Sequence, residues 1–166
     1  MKRIYLVRHA KADSYDQSVA DVDRPLVASG REDARAMAEY LLSNNILAER
    51  IISSPALRAF STAQIFALAG LFKEGDIVLE PALYDSTAQD YFRILCEQDD
   101  SISSLFIFGH NPSISELMSS LSKGRELELS TCNVALLEFS VDSWETIEHR
   151  SGRNLGILSP SIIKAL

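Results

Sequence analysis

The chain has 166 residues, 46% of them apolar, and its 16 lysines and arginines against 23 aspartates and glutamates give a net charge of −7. With 7 glycines, 5 prolines and 2 cysteines, it cannot be collagen-like, disordered or a disulfide scaffold, and we expect one globular domain over residues 1–166. No apolar run approaches the roughly 20 residues of a membrane span, and no signal peptide is evident. We therefore expect a cytoplasmic protein. We also expect no membrane or nucleic-acid partner, because a chain with this net negative charge is repelled by anionic lipid and by nucleic acid.

Short apolar runs alternate with longer amphipathic stretches, which predicts β-α units. Ser29 and Glu32 match a capping box for the first helix. Ser54-Pro55 precedes a second helix, which should stop at Gly70. The predicted strands are residues 4–7, 50–53, 77–79 and 105–108, and the later helices are residues 88–98 and 113–121.

The C-terminal part predicts a hairpin, with strands at 133–141 and 144–149 joined at Asp142-Ser143, and a tail from Ser151 without a clear pattern. Strands separated by helices imply a three-layer α/β/α fold with a mostly parallel central sheet. Ligands of such folds bind beyond the carboxyl ends of the strands. That edge is therefore where we expect the functional residues.

Four cationic or titratable side chains follow strands of the predicted sheet. Arg8 and His9 come after the first strand, Arg58 lies in the first turn of the helix after the second, and His110 follows the fourth. All four should meet at one edge, where arginines and helix N-termini would bind an oxyanion such as a phosphoryl group. A neutral imidazole attacks phosphorus, and neighbouring cations keep it neutral, so His9 fits a nucleophile and His110 a transition-state stabiliser.

The motifs around these residues belong together. They are Leu6-Val7-Arg8-His9-Ala10, Arg24-Pro25-Leu26 with Gly30, Ser53 to Ala59 with Thr62-Ala63, and Gly109-His110-Asn111-Pro112. This set resembles the histidine phosphatase superfamily, also called phosphoglycerate-mutase-like, and within it the short SixA-type phosphohistidine phosphatases. The resemblance spans about residues 3–121. It implies that His9 is phosphorylated during turnover and that Arg8, Arg58 and His110 bind the phosphoryl group.

The chain departs from the family pattern in two places. Ala10 stands where the first motif usually ends in glycine. Larger members place a glutamate proton donor shortly after the third strand, where this chain has Leu83-Tyr84-Asp85. Asp21, Asp23 and Asp85 are the candidate donors, and Asp21 is favoured because the loop before Arg24 returns toward the pocket in short members. Asn111 is a further candidate contact to phosphate.

The substrate class follows from the length of the connections. Only about 25 residues separate the third and fourth strands, too few for a lid, and the resulting open pocket suits a phosphorylated protein side chain, phosphohistidine first. A small-molecule phosphomonoesterase or mutase, and a phosphoryl-binding module without turnover, are the alternatives. We expect no cofactor, because a metal shared by His9 and His110 would be repelled by the arginines.

Overall fold

The computed structural model describes residues 1–14, 16–124 and 126–166. Strands of these residues form one six-stranded sheet in the order β3-β2-β4-β1-β5-β6. The neighbours β3, β2, β4 and β1 are parallel, β5 is antiparallel to β1, and β6 is antiparallel to β5. The strands are β1 Lys2–Arg8, β2 Arg50–Ser53, β3 Ile77–Leu79, β4 Ser104–Gly109, β5 Val134–Phe139 and β6 Arg153–Leu158.

Helices cover both faces of the sheet, so the predicted three-layer α/β/α architecture is confirmed. One face packs against α1 (Ala28–Ser43), α2 (Leu57–Leu68) and the short α5 (Pro160–Lys164). The other face packs against α3 (Ala88–Cys96) and α4 (Ser113–Leu121). Within the described ranges, no helix has the length and apolarity that a bilayer crossing requires.

The capping box predicted for α1 is wrong. The helix begins at Ala28, so Ser29 lies inside the first turn, and Val27 precedes the helix without a side-chain cap. The start is fixed instead by packing against the loop after β1: Val27 N–H donates to the carbonyl of Lys11. A Cβ on Gly30 would lie 2.2 Å from the same oxygen. Backbone contact therefore replaces the side-chain cap.

The predicted hairpin is confirmed in kind, but its second strand is misplaced. Residues Trp144–Thr146 form a 3-10 helix, and Trp144 and Ile147, three residues apart, both enter the core beside α3 and α4. The partner of β5 is β6, which lies in the tail that showed no pattern. Because β6 is an edge strand whose first three residues are exposed, it lacks the alternation that reveals a half-buried strand.

Candidate active site

The ends of β1 and β4 bring two histidines together. Arg8 and Gly109 are register partners at the strand ends, and the N–H of His9 donates to the carbonyl of Gly109 at 3.1 Å. His9 and His110 therefore leave the sheet side by side, with ring centroids 5.3 Å apart. Two parallel neighbouring strands place both residues at the carboxyl edge, where the sequence predicted them.

Arg58 joins the histidines from the first turn of α2. The hydroxyl of Thr62, one turn later, donates to the carbonyl of Arg58 at 2.7 Å and accepts from the N–H of Ala10 at 3.0 Å. This single hydroxyl fastens the start of α2 to the residue that follows His9. Thr62 belonged to the motif, but the sequence alone did not indicate this link.

The His9 ring is held in one tautomer. Its Nδ1 lies 2.7 Å from the carbonyl oxygen of Ala10, which can only accept, so Nδ1 carries the proton and the neutral ring keeps its lone pair on Nε2. Burial is the main cause that lowers the pKa of His9, the hydrogen bond to Ala10 opposes it, and the positive charges of Arg58 and Arg8 add to the lowering, so that the pKa is about 4. The imidazole is therefore neutral at physiological pH.

His110 is neutral as well, and a serine positions its ring. Nε2 of His110 lies 2.8 Å from Oγ of Ser54, which also accepts the N–H of Ala56 before α2. Burial, with smaller contributions from His9 and Arg58, lowers the pKa of His110 to about 3. Nδ1 of the same ring is buried and has no hydrogen-bond partner within the described part of the chain.

The backbone of His110 rests on a buried tyrosine. The hydroxyl of Tyr91 accepts the N–H of His110 at 3.1 Å and donates to the carbonyl of Leu83 at 2.9 Å. Gly109 makes room for this tyrosine, since a Cβ there would lie 2.4 Å from the Tyr91 oxygen. The glycine of the fourth motif is thus required by close packing.

Both arginines have a buried donor left over. Arg8 donates through Nη1 to the carbonyl of Leu129 at 2.9 Å, and burial lowers the pKa of Arg8. The Nε atoms of Arg8 and Arg58 are buried, and no acceptor for either occurs among the residues described. An unpaired buried donor is costly. Two such unpaired arginine donors at one edge of the sheet are therefore typical of a site that binds an anionic ligand.

Asp21 lies in the site, and its hydrogen-bond partners favour the ionised carboxylate. Its Oδ2 accepts from the Tyr84 hydroxyl at 2.7 Å and from Nη2 of Arg58 at 3.1 Å, while Oδ1 accepts from Nε of Arg24 at 2.9 Å. The hydrogen bond from Tyr84, together with those from Arg24 and Arg58, lowers the pKa of Asp21 to about 2. Asp85 and Asp21 line one cavity beside His110, whereas Asp23 is exposed to solvent.

Both ends of the Asn111 side-chain amide form hydrogen bonds within the protein. Nδ2 donates to the carbonyl of Leu129 at 2.8 Å, and Oδ1 accepts from the hydroxyl of Ser115 at 2.6 Å. The Leu129 carbonyl also receives Arg8. Asn111 therefore anchors the segment before β5 to α4, and its predicted contact with phosphate stays a prediction.

The cavity beside His110 is small, about 180 Å³, and its lining includes neither His9 nor Arg8. Small-molecule pockets commonly measure about 300–1,000 Å³, so this one has space for a phosphoryl group and little more. Among the described residues, no group of three side chains has the make-up of a metal site. The residues that line the cavity include Asp21, Arg58, Tyr84, Asp85, Ser86, His110, Asn111 and Pro112.

Comparison with known proteins defines the class. The family model of the histidine phosphatase superfamily, branch 1, matches residues 4–91, which is more than half of the chain. The chain belongs to this superfamily, and its activity is that of a phosphatase. The resemblance seen in the motifs is therefore confirmed, as is the phosphoglycerate-mutase-like fold.

Three similar proteins show how far the likeness extends. An uncharacterised chloroplast protein of Arabidopsis thaliana is 35% identical over 159 residues, which cover 91% of this chain and 72% of that protein. The phosphohistidine phosphatase SixA of Escherichia coli is 25% identical over 125 residues, covering 74% of this chain and 75% of SixA. A structure of the protein histidine phosphatase SixA with tungstate shares the fold, with a TM-score of 0.83, 22% identity, and 97% and 99% of the two chains covered.

Proposed function

We propose that this phosphatase works without a metal, through a phosphohistidine formed on His9, and that its substrate is a phosphorylated protein side chain, phosphohistidine first. The observation that carries the proposal is the tautomer of His9. The bond from Nδ1 to Ala10 leaves a lone pair on Nε2, and the low pKa keeps that lone pair unprotonated. A buried, neutral and oriented imidazole is what a nucleophile toward phosphorus needs.

The first chemical step moves the phosphoryl group to the protein. The Nε2 lone pair of His9 forms a bond to phosphorus while the bond from phosphorus to the leaving group breaks. Arg8, Arg58 and His110 bind the equatorial oxygens, and their charges and N–H groups stabilise the transition state. In the second step water attacks phosphorus, the bond to Nε2 breaks, and inorganic phosphate leaves.

The leaving group must also receive a proton, and Asp21 is the proposed donor for ester substrates. Its hydrogen-bond partners hold the pKa of Asp21 at about 2, so Asp21 must gain a proton before it can act as an acid. A phosphoryl dianion on Arg58 acts in that direction, because it adds like charge and competes for the same guanidinium. We expect Asp21→Asn to slow an alkyl phosphate much more than nitrophenyl phosphate, whose leaving group needs little protonation. Equal slowing of both substrates would remove Asp21 from this role.

Two features support a protein side chain as substrate. The cavity of about 180 Å³ leaves no room to enclose a metabolite, so the rest of the substrate must stay outside. The imidazole of a phosphohistidine is a good leaving group, so its labile P–N bond reduces the need for a strong acid. The E. coli relative bears the name phosphohistidine phosphatase, in agreement with this substrate class.

The experiment compares substrates under matched conditions. A phosphohistidine peptide, the same peptide carrying phosphoserine, and small phosphate esters are assayed with and without EDTA. We expect the highest kcat/KM for the phosphohistidine peptide, release of free phosphate and no effect of EDTA. A preference for a small ester would favour the phosphomonoesterase alternative, and phosphoryl transfer to an acceptor without release of phosphate would favour a mutase. Inhibition by EDTA that a divalent metal reverses would replace the mechanism.

A further inference from the structure

Tyr84 has no place in the mechanism so far, although it reaches the centre of the site. It lies just after the 3-10 turn Pro81–Leu83 that follows β3, and its ring stands edge-on to His110 with centroids 5.8 Å apart. Its hydroxyl donates to Oδ2 of Asp21 at 2.7 Å. The side chain is half-buried and lines the cavity.

The same carboxylate oxygen binds Arg58, which makes a chain of three groups. Oδ2 of Asp21 accepts Nη2 of Arg58 at 3.1 Å, and the backbone carbonyl of Asp21 accepts Nη1 at 2.8 Å. Asp21 thus holds the outer edge of the guanidinium, the one formed by the two Nη groups. The side chain of Arg58 is only 8% exposed, and within the described residues both hydrogen bonds of its guanidinium go to Asp21.

The remaining edge of Arg58 is the one available for a ligand. In a planar guanidinium, Nε–H and one N–H of Nη2 point in the same direction and form a second fork for two oxygens. Nε of Arg58 is buried, and the described residues offer it no acceptor. Asp21 therefore occupies one fork and leaves the other free.

We propose that Tyr84 is a positioning residue: its hydroxyl holds the Asp21 carboxylate against the outer edge of Arg58, so that the Nε–Nη2 edge faces the phosphoryl group. The proposal rests on the proposed role of Arg58 in binding that group. Arg24 supports the same carboxylate through Oδ1 at 2.9 Å. Three segments, the loop before α1, the turn after β3 and the first turn of α2, thus fix one guanidinium before substrate arrives.

Tyr84→Phe tests this role because it removes the hydroxyl and keeps the ring. Tyr40→Phe is the matched control, since Tyr40 is half-buried on α1 and its loss leaves the site untouched. Binding of tungstate, a phosphoryl analogue without a leaving group, is measured by calorimetry for the full chain. We expect Tyr84→Phe to weaken tungstate binding and to lower kcat for nitrophenyl phosphate, each about tenfold, as removal of one hydrogen bond to a charged group does. Tyr40→Phe should match the wild type, with thermal melts confirming that both variants fold.

A double-variant cycle separates positioning from other roles. In an Asp21→Asn background, Tyr84→Phe should change tungstate affinity less than about twofold, because the two residues act through one contact. Unchanged tungstate affinity in Tyr84→Phe overturns the proposal, even if KM rises, since Tyr84 would then touch the leaving group. An undiminished effect in the Asp21→Asn background also overturns it. Failure of the nucleophile assignment is a separate outcome, because tungstate binding requires no turnover.

Discussion

The parallel and antiparallel halves of the sheet have different tasks. In the parallel half, β1, β2 and β4 all point their carboxyl ends to one edge, which receives His9, Arg58 and His110. The antiparallel half supports that edge through the segment before β5. The N–H of Arg8 donates to the carbonyl of Asn133, and the N–H of Cys132 donates to the carbonyl of His9. Strand direction thus decides where side chains for chemistry gather, and the antiparallel strands hold that edge in place.

This difference predicts that substitutions at the carboxyl edge of the parallel strands remove activity, and the largest effect is expected at Arg58. Arg58→Ala should lower kcat by about 10²-fold or more, as loss of one preorganised donor commonly does. Arg58→Lys should recover little, because an ammonium group cannot grip two oxygens at once. Steady-state assays with nitrophenyl phosphate measure both, and Arg93→Ala is the control because Arg93 is exposed on α3. Full activity of Arg58→Lys would contradict a bidentate role.

Gly109→Ala should cost both stability and activity. The new Cβ would lie 2.4 Å from the Tyr91 hydroxyl, and overpacking of this kind destabilises by about 1–3 kcal/mol. His110 should shift with Tyr91, so kcat falls as well. Gly75→Ala is the matched control, since a Cβ added there would have nothing within 4 Å. Urea unfolding measures the difference, and equal stability of the two variants would contradict the packing described here.

The buried histidines should make stability depend on pH. Their pKa values are about 4 and 3 in the folded protein, against about 6.5 in the unfolded chain. The unfolded state therefore takes up protons first, and the free energy of unfolding falls as pH drops from about 6.5 to 4. Each histidine contributes at most about 1.4 kcal/mol per pH unit. His9→Asn should reduce the dependence of the free energy of unfolding on pH, whereas His149→Asn, at an exposed position, should leave it unchanged. The same dependence in both variants would contradict a buried neutral His9.

The smallest effect is expected in the antiparallel half. Glu138 on β5 bridges Arg3 of β1 and Arg153 of β6, at 2.8 and 2.5 Å. Both arginine side chains are largely exposed, although the Glu138 side chain itself is only 6% exposed, so solvent screens each pair from the arginine side. Glu138→Gln keeps the shape of the side chain and its ability to accept from the arginines, so it should lower the urea midpoint slightly and leave kcat within about twofold of the wild type. A large loss of kcat would mean that the antiparallel half takes a direct part in the chemistry.

Much of the parallel half could be predicted because its signals are local. A strand that ends at Arg8 and is followed by His9, and another that is followed by His110, define an edge once strand direction is known. A single side-chain contact between segments that are distant in the sequence leaves no local sequence pattern from which it could be predicted. The bond from Tyr84 to Asp21 joins residues 63 positions apart, and neither residue type indicates the other. β6 was missed for a similar reason, since an exposed edge strand owes its conformation to β5.

Trapping of the phosphorylated protein tests the central claim most directly. Substrate labelled in the phosphoryl group is mixed with the wild type and with His9→Ala, and the reaction is quenched within milliseconds in strong base. The account predicts an acid-labile, base-stable label on the wild type, located at His9 by peptide mapping, and none on the variant. A label on serine, on aspartate or on His110, or an equal label on His9→Ala, would contradict the claim that His9 is the nucleophile.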